Sequence, residues 1–161
     1  MEIYLLRHGI AENTPPGKTD ADRNLTGEGR TKLREVLERA RRAVGTPSLI
    51  LSSPLVRAVQ TAEIAAEILG YREAIEQTDA LLPYSSPQAV WRAIRRSEKD
   101  GSILLTGHEP LLGETASYLL GASHVAVNFK KGALMRIDVE ETAGPPHGFL
   151  QWLLTPRLAG E

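Results

Sequence analysis

Apolar residues fall into distinct patterns along this chain. Ile3-Tyr4-Leu5-Leu6, Leu49-Ile50-Leu51 and Ile103-Leu104-Leu105 are short unbroken apolar blocks, the form taken by strands covered on both faces. They predict strands at about residues 2–7, 48–52 and 102–106. Between them the apolar positions recur at helical spacing. Leu33, Val36, Leu37, Ala40 and Val44 share one face of a helix that Thr26 is placed to cap. A second helix is expected from Pro54 to Gly70, with the stripe Leu55, Val59, Ala62, Ala66 and Leu69 turned inward and Arg57 on the side away from it. A third follows Pro83 and Pro87 and carries Val90, Trp91 and Ile94, and a fourth starts near Pro110. The last quarter differs: Val125–Phe129, Ala133–Val139 and Phe149–Leu154 are strand-like with no helices between them. The sequence therefore predicts an α/β fold: a three-layer sandwich with a mainly parallel central sheet, an antiparallel edge and helices on both faces. No linker, repeat or low-complexity tract divides the 161 residues, so residues 1–161 are expected to form a single domain.

The ends of the predicted strands carry the chemistry. The first runs into Arg7-His8-Gly9, the second into Ser52-Ser53-Pro54 with Arg57 just beyond, and the third into Gly107-His108-Glu109-Pro110. Ligands of open α/β sheets bind outside the carboxyl ends of parallel strands. A guanidinium forks onto neighbouring phosphate oxygens, and an imidazole acts as nucleophile or base near neutral pH. Arg57 in the first turn of a helix works against the helix dipole, which points to an anion for it to meet. Gly9 allows a close turn of backbone beside the bound group. Arg7, His8, Arg57 and His108 together describe a pocket for a phosphoryl group.

The order and spacing of these residues resemble the histidine phosphatase superfamily, the phosphoglycerate mutase-like proteins. The matching residues are Arg7-His8-Gly9, Ser53-Pro54 with Arg57-Ala58 and Gln60-Thr61, and Gly107-His108. Arg23-Asn24-Leu25-Thr26 with Gly29 resembles the family's segment before its first long helix. The small size, the Gly-His-Glu-Pro segment and the Gln151-Trp152 ending are most similar to the SixA-type phosphohistidine phosphatases. The resemblance implies that His8 is the nucleophile, carrying a phosphohistidine intermediate. It also implies that His108 donates a hydrogen bond to the phosphoryl oxygens. From the residues alone the two histidines could exchange roles. It further implies that Gly9 and Arg23 line the substrate pocket.

The proton donor is where the chain departs from the family pattern. Expelling an alkoxide at neutral pH needs a general acid, which many relatives carry after the second helix. Here residues 78–87 hold only Asp79, at the front edge of the segment; Glu109, directly after His108, is the other candidate. A phosphohistidine loses an imidazole, a far easier leaving group, so a missing acid fits a phosphoramidase. The short stretch between Gly70 and Pro87 also leaves little to cover the pocket, which suits a phosphorylated protein as partner. The alternative is a small-molecule phosphomonoesterase using Glu109 or Asp79, and the less favoured third reading is a non-catalytic phosphate-binding module.

Composition narrows the picture further. A net charge of −1 argues against broad binding to nucleic acid or acidic membranes. The chain has no cysteine, and His8, His108, His124 and His147 show no metal-ligand spacing. No cofactor and no metal are expected, because the arginines supply the positive charge. His124 and His147 read as loop residues, Asn13 as a loop polar group, and Lys130-Lys131 as a surface pair at a hairpin turn. The first strand follows Met1 almost at once and no apolar stretch is long enough to span a bilayer, so a cytoplasmic location is expected. Nothing in the sequence specifies an oligomeric state.

Overall fold

The computed structural model describes residues 1–97, 101–140 and 144–161. Six strands form one sheet: β1 (Glu2–Arg7), β2 (Leu49–Ser52), β3 (Glu76–Gln77), β4 (Ser102–Gly107), β5 (Leu134–Glu140) and β6 (His147–Leu154). Their spatial order is β3-β2-β4-β1-β5-β6. The first four are mutually parallel, and β5 and β6 add an antiparallel edge. The helices are α1 (Gly27–Val44), α2 (Val56–Leu69), α3 (Pro87–Arg96), α4 (Leu111–Leu119) and the short α5 (Pro156–Ala159). This is the predicted three-layer α/β sandwich.

Alternation along the strands builds a core on each face. Ile3 and Leu5, Leu49 and Leu51, and Ile103 and Leu105 pack with Val90, Trp91 and Ile94 of α3 and Leu111, Leu112 and Leu119 of α4. Tyr4, Leu6, Ile50 and Leu104 point the other way, against Leu33, Val36, Leu37 and Ala40 of α1 and Ile64, Ala65 and Ile68 of α2. Each such side chain contributes roughly 1.5–3 kcal/mol by leaving water. The helix starts follow local chemistry. Thr26 Oγ1 accepts from Gly29 N at 2.9 Å, and Ser86 Oγ accepts from Ala89 N at 3.2 Å with Pro87 at the first helical position. Gly70 ends α2 with φ of 73°, in the left-handed region.

Three expectations need correction. Val125–Phe129 is not a strand. Phe129 is buried in the core and Val125 N donates to Ser117 Oγ at 3.0 Å, so the segment is held by side-chain contacts without joining the ladder. Helix α2 begins at Val56, two residues past Pro54. Ser53 Oγ accepts from Leu55 N at 3.3 Å, and Leu55 is extended (φ −68°, ψ 137°), so this stretch stays outside the helix. The buried face of α2 is also rotated from the predicted stripe. Ala58, Thr61, Ala62, Ile64, Ala65, Ile68 and Leu69 are buried, whereas Leu55, Val59 and Ala66 are only partly so. Arg57 lies on that buried face, above Thr61, Ile64 and Ile68.

The strand register sets up the site. Arg7 pairs with Gly107, and Thr106 pairs with both Leu6 and Ser52, so β1, β4 and β2 end level. The chain leaves each strand still bonded to its neighbour: His8 N donates to Gly107 O and Ser53 N to Thr106 O, both at 3.0 Å. His108, one residue past the middle strand, is therefore flanked by His8 and Ser53.

Candidate active site

His8, Arg57 and His108 are all nearly sealed from solvent, with relative exposures of 6%, 5% and 2%. Charged and titratable side chains are rarely that buried without a task. The imidazoles of His8 and His108 lie with centroids 5.1 Å apart, tilted by 55°. His8 Nδ1 is 2.7 Å from the carbonyl oxygen of Gly9. A carbonyl only accepts, so the ring proton sits on Nδ1 and the lone pair on Nε2. Burial, with the charges of Arg57, Arg7 and Lys131 nearby, pushes His8 down to about 4 from the ordinary 6.5, although the Gly9 bond opposes this. The ring is neutral near pH 7 and its Nε2 is available as a nucleophile.

His108 is fixed from the other side. Its Nε2 lies 2.8 Å from Ser53 Oγ, which also accepts from Leu55 N. Ser53 Oγ has one proton and two lone pairs, so this contact suits either tautomer; when the hydroxyl donates to Nε2, the His108 proton sits on Nδ1. Burial, then the neighbouring His8 and arginines, pushes His108 down to about 3.

Both arginines are anchored at one end and unpartnered at Nε. Arg7 Nη1 donates to Phe129 O at 2.7 Å; Arg57 donates to Asp20, through Nη1 to its backbone oxygen at 2.9 Å and through Nη2 to Oδ2 at 3.1 Å. Arg7 Nε, Arg57 Nε and His108 Nδ1 are buried without a hydrogen-bond partner. Three such atoms beside a neutral imidazole form a donor set that an anion with several oxygens would satisfy. Among the described residues no group of three or more His, Cys, Asp or Glu could hold a metal ion.

The other predicted residues take differing places. Gly9 has no positive φ; a side chain there would press on Gly29 O at 3.2 Å and Leu25 at 3.3 Å. Its position is dictated by packing against α1, while its carbonyl orients His8. Arg23 does not enter the donor set directly: Nε donates to Glu12 O at 2.6 Å and Nη1 to Asp20 Oδ1 at 3.0 Å. Glu109 is half-buried and accepts from Gly113 N at 2.7 Å through Oε1. Burial raises its carboxyl above the usual range, opposed by that bond and by Arg7. It also lines a groove of about 760 Å³ with Glu114, Tyr118 and His124. Asp79 is exposed in a turn at Asp79–Leu81, and His124, His147 and Asn13 are exposed as well.

Thr61 and Ser53 stand in the matching motif without an assigned role, and Asp20 is not singled out in the sequence at all. Thr61 Oγ1 accepts from Gly9 N at 3.2 Å and donates to Arg57 O at 2.7 Å, tying the turn after β1 to the first turn of α2. Its signal was its place four residues after Arg57. Ser53 and Asp20 had no periodic signal at all. Lys131 is exposed in the turn leading to β5, yet its charge reaches His8, because Gly132 N bonds to the carbonyls of Arg7 and His8.

Comparison with known proteins bears on the family and the fold. Residues 3–82 match the model of the histidine phosphatase superfamily (branch 1). An uncharacterized protein of Picosynechococcus sp. is 38% identical over 139 residues, covering 84% of this chain and 83% of its own. The protein histidine phosphatase SixA, solved in complex with tungstate, superposes with a TM-score of 0.87 at 24% identity, covering 98% of both chains. A mycobacterial glucosyl-3-phosphoglycerate phosphatase superposes with a TM-score of 0.71 at 16% identity, covering 93% of this chain and 96% of that one. At such identities the two solved structures establish the fold, and the matched segment contains Arg7, His8 and Arg57. The chain belongs to the histidine phosphatase superfamily.

Proposed function

We propose that this protein is a phosphatase that removes the phosphoryl group from phosphohistidine on another protein. The observation that carries the reading is the pairing of His8 Nδ1 with the Gly9 carbonyl, which leaves Nε2 as a lone-pair nitrogen in a site that also holds buried, unpartnered nitrogens on Arg7, Arg57 and His108. In the first step Nε2 bonds to phosphorus as the P–N bond to the substrate imidazole breaks; the departing nitrogen takes the electron pair, and the imidazole leaves neutral with its proton on the other ring nitrogen. In the second, water attacks the phosphoryl group on His8, giving inorganic phosphate and free His8. Arg7 and Arg57 stabilise charge on the equatorial oxygens, and His108 Nδ1–H contributes a third donor. The guanidiniums supply the charge, so the reading calls for no metal. The likeness to the SixA fold supports a phosphoprotein substrate.

A second reading has an observation of its own. Glu109, with its carboxyl raised by burial, is suited to donate a proton to an alkoxide, and the mycobacterial neighbour is a glucosyl-3-phosphoglycerate phosphatase. The deciding experiment compares turnover of a phosphohistidine-bearing protein domain with that of a panel of alkyl phosphomonoesters, using His8→Ala as control. Preference for the phosphohistidine domain supports the proposal. Preference for an ester that is lost in Glu109→Gln would replace it with the second reading.

A further inference from the structure

Arg57 is gripped at its outer edge by a single residue. Asp20, in a turn at Asp20–Asp22, takes Nη1 with its backbone carbonyl at 2.9 Å and Nη2 with Oδ2 at 3.1 Å. Its other carboxylate oxygen accepts from Arg23 Nη1 at 3.0 Å. The Asp20 side chain is 61% exposed and that of Arg57 only 6%, so the carboxylate holds the guanidinium from the solvent side. A guanidinium has two edges that can bond, the Nη1–Nη2 edge and the edge carrying Nε. Asp20 occupies the first. The second is buried, and its Nε has no partner.

We infer that Asp20 is a positioning residue, which fixes the plane of Arg57 so that its Nε edge meets the phosphoryl oxygens, and that Arg23 acts by holding Asp20. The inference rests on the phosphatase reading of the site. Asp20 touches no reacting atom; it removes the rotational freedom that a long side chain would lose on binding. A carboxylate on a phosphate-binding arginine could instead act as an internal competitor that the substrate displaces. The two roles have opposite signatures. Loss of a competitor tightens every anion, whereas loss of a positioning group weakens binding, and most of all binding of the transition-state geometry.

The test uses the full chain and the variants Asp20→Ala, Asp20→Asn and Arg23→Ala. Inhibition constants are measured for orthovanadate, which accepts a fifth ligand like the transferring group, and for inorganic phosphate. Turnover of phosphoramidate is measured alongside. Asp20→Ala is expected to weaken vanadate on the order of tenfold to a hundredfold, to weaken phosphate less, and to lower kcat more than it raises KM. Asp20→Asn keeps an oxygen for Nη2 and should recover part of the loss. Arg23→Ala should act in the same direction and add little in the Asp20→Ala background. A role confined to holding the loop would lower stability and leave the ratio of vanadate to phosphate constants at its wild-type value. That result, or tighter binding of either anion, overturns the inference. A wild-type protein that neither binds vanadate nor turns over phosphoramidate would refute the phosphatase reading, and the inference with it.

Discussion

His8 and His108 face each other at 5.1 Å, and both imidazoles are neutral near pH 7. Burial is the main cause, reinforced by Arg7 and Arg57, which make a second positive charge costly. In the unfolded chain both rings titrate near 6.5; in the folded protein they fall to about 4 and about 3. Between these values the unfolded chain binds more protons. Stability is therefore full above about pH 7 and is lost as pH falls from about 6.5 toward 4, by on the order of a few kcal/mol. Urea unfolding at stepped pH checks this, and it should flatten in His108→Ala. For the same reason the acid limb of kcat/KM should fall near pH 4. A limb centred at 6.5 would show that His8 is solvated.

Loss of the nucleophile tests the chemistry directly. His8→Ala is expected to abolish turnover while vanadate and phosphate still bind, because Arg7 and Arg57 hold their positions through Phe129 and Asp20. Rapid quenching in alkaline detergent should fail to trap a phosphoenzyme in that variant. In the wild type it should yield a phosphoryl group that is stable in base and labile in acid, the behaviour of a P–N bond. Substantial residual activity in His8→Ala would overturn the covalent route.

Metal removal gives a third outcome. The donors converging on the pocket are guanidinium and imidazole nitrogens of Arg7, Arg57 and His108. Activity is expected to be unchanged after dialysis against EDTA and unaffected by added divalent ions. A loss that Mg²⁺, Mn²⁺ or Zn²⁺ restores would show that a metal supplies charge the arginines do not.

Gly29 offers a prediction about stability. Helix interiors normally gain about 1 kcal/mol when Gly becomes Ala. At Gly29 a Cβ would collide with the Ile10 carbonyl and lie 2.9 Å from Ile10 N. Gly29→Ala is expected to cost about 1–3 kcal/mol or more, because backbone must shift to admit it. The shift falls next to Gly9, whose carbonyl orients His8, so kcat should drop as well. A thermal midpoint at or above wild type would show that the backbone at Ile10 yields to a Cβ without cost.

The legible parts of this molecule were those with a long or repeated signal. Apolar blocks marked β1, β2 and β4, and the residues just past them, Arg7-His8, Ser53 and His108, share one end of the sheet because parallel strands all point the same way. The face of α1 was readable because Leu33, Val36 and Leu37 are large. The face of α2 was not, since three of its eight buried residues are alanines and Arg57 itself is buried there. Val125–Phe129 alternates like a strand, but only Phe129 is buried. Asp20 was invisible because its bond to Arg57 joins a surface turn to a helix start 37 residues away.

Ser53 provides the most discriminating test of how His108 works. Its hydroxyl is the partner of His108 Nε2, at 2.8 Å, and it is fully buried. Ser53→Ala removes that partner without adding bulk. The imidazole can then carry its proton on either nitrogen, so Nδ1–H is no longer assured as a donor to the phosphoryl oxygens. The expected result is a fall in kcat of roughly tenfold with KM little changed, since the donor acts most strongly as charge develops. His108→Ala should cost more, on the order of 10²–10³ in kcat. In the His108→Ala background Ser53→Ala should add nothing, because both act through one hydrogen bond. If the two losses multiply instead, Ser53 serves the reaction by another route, and the proton on His108 Nδ1 is not what it controls.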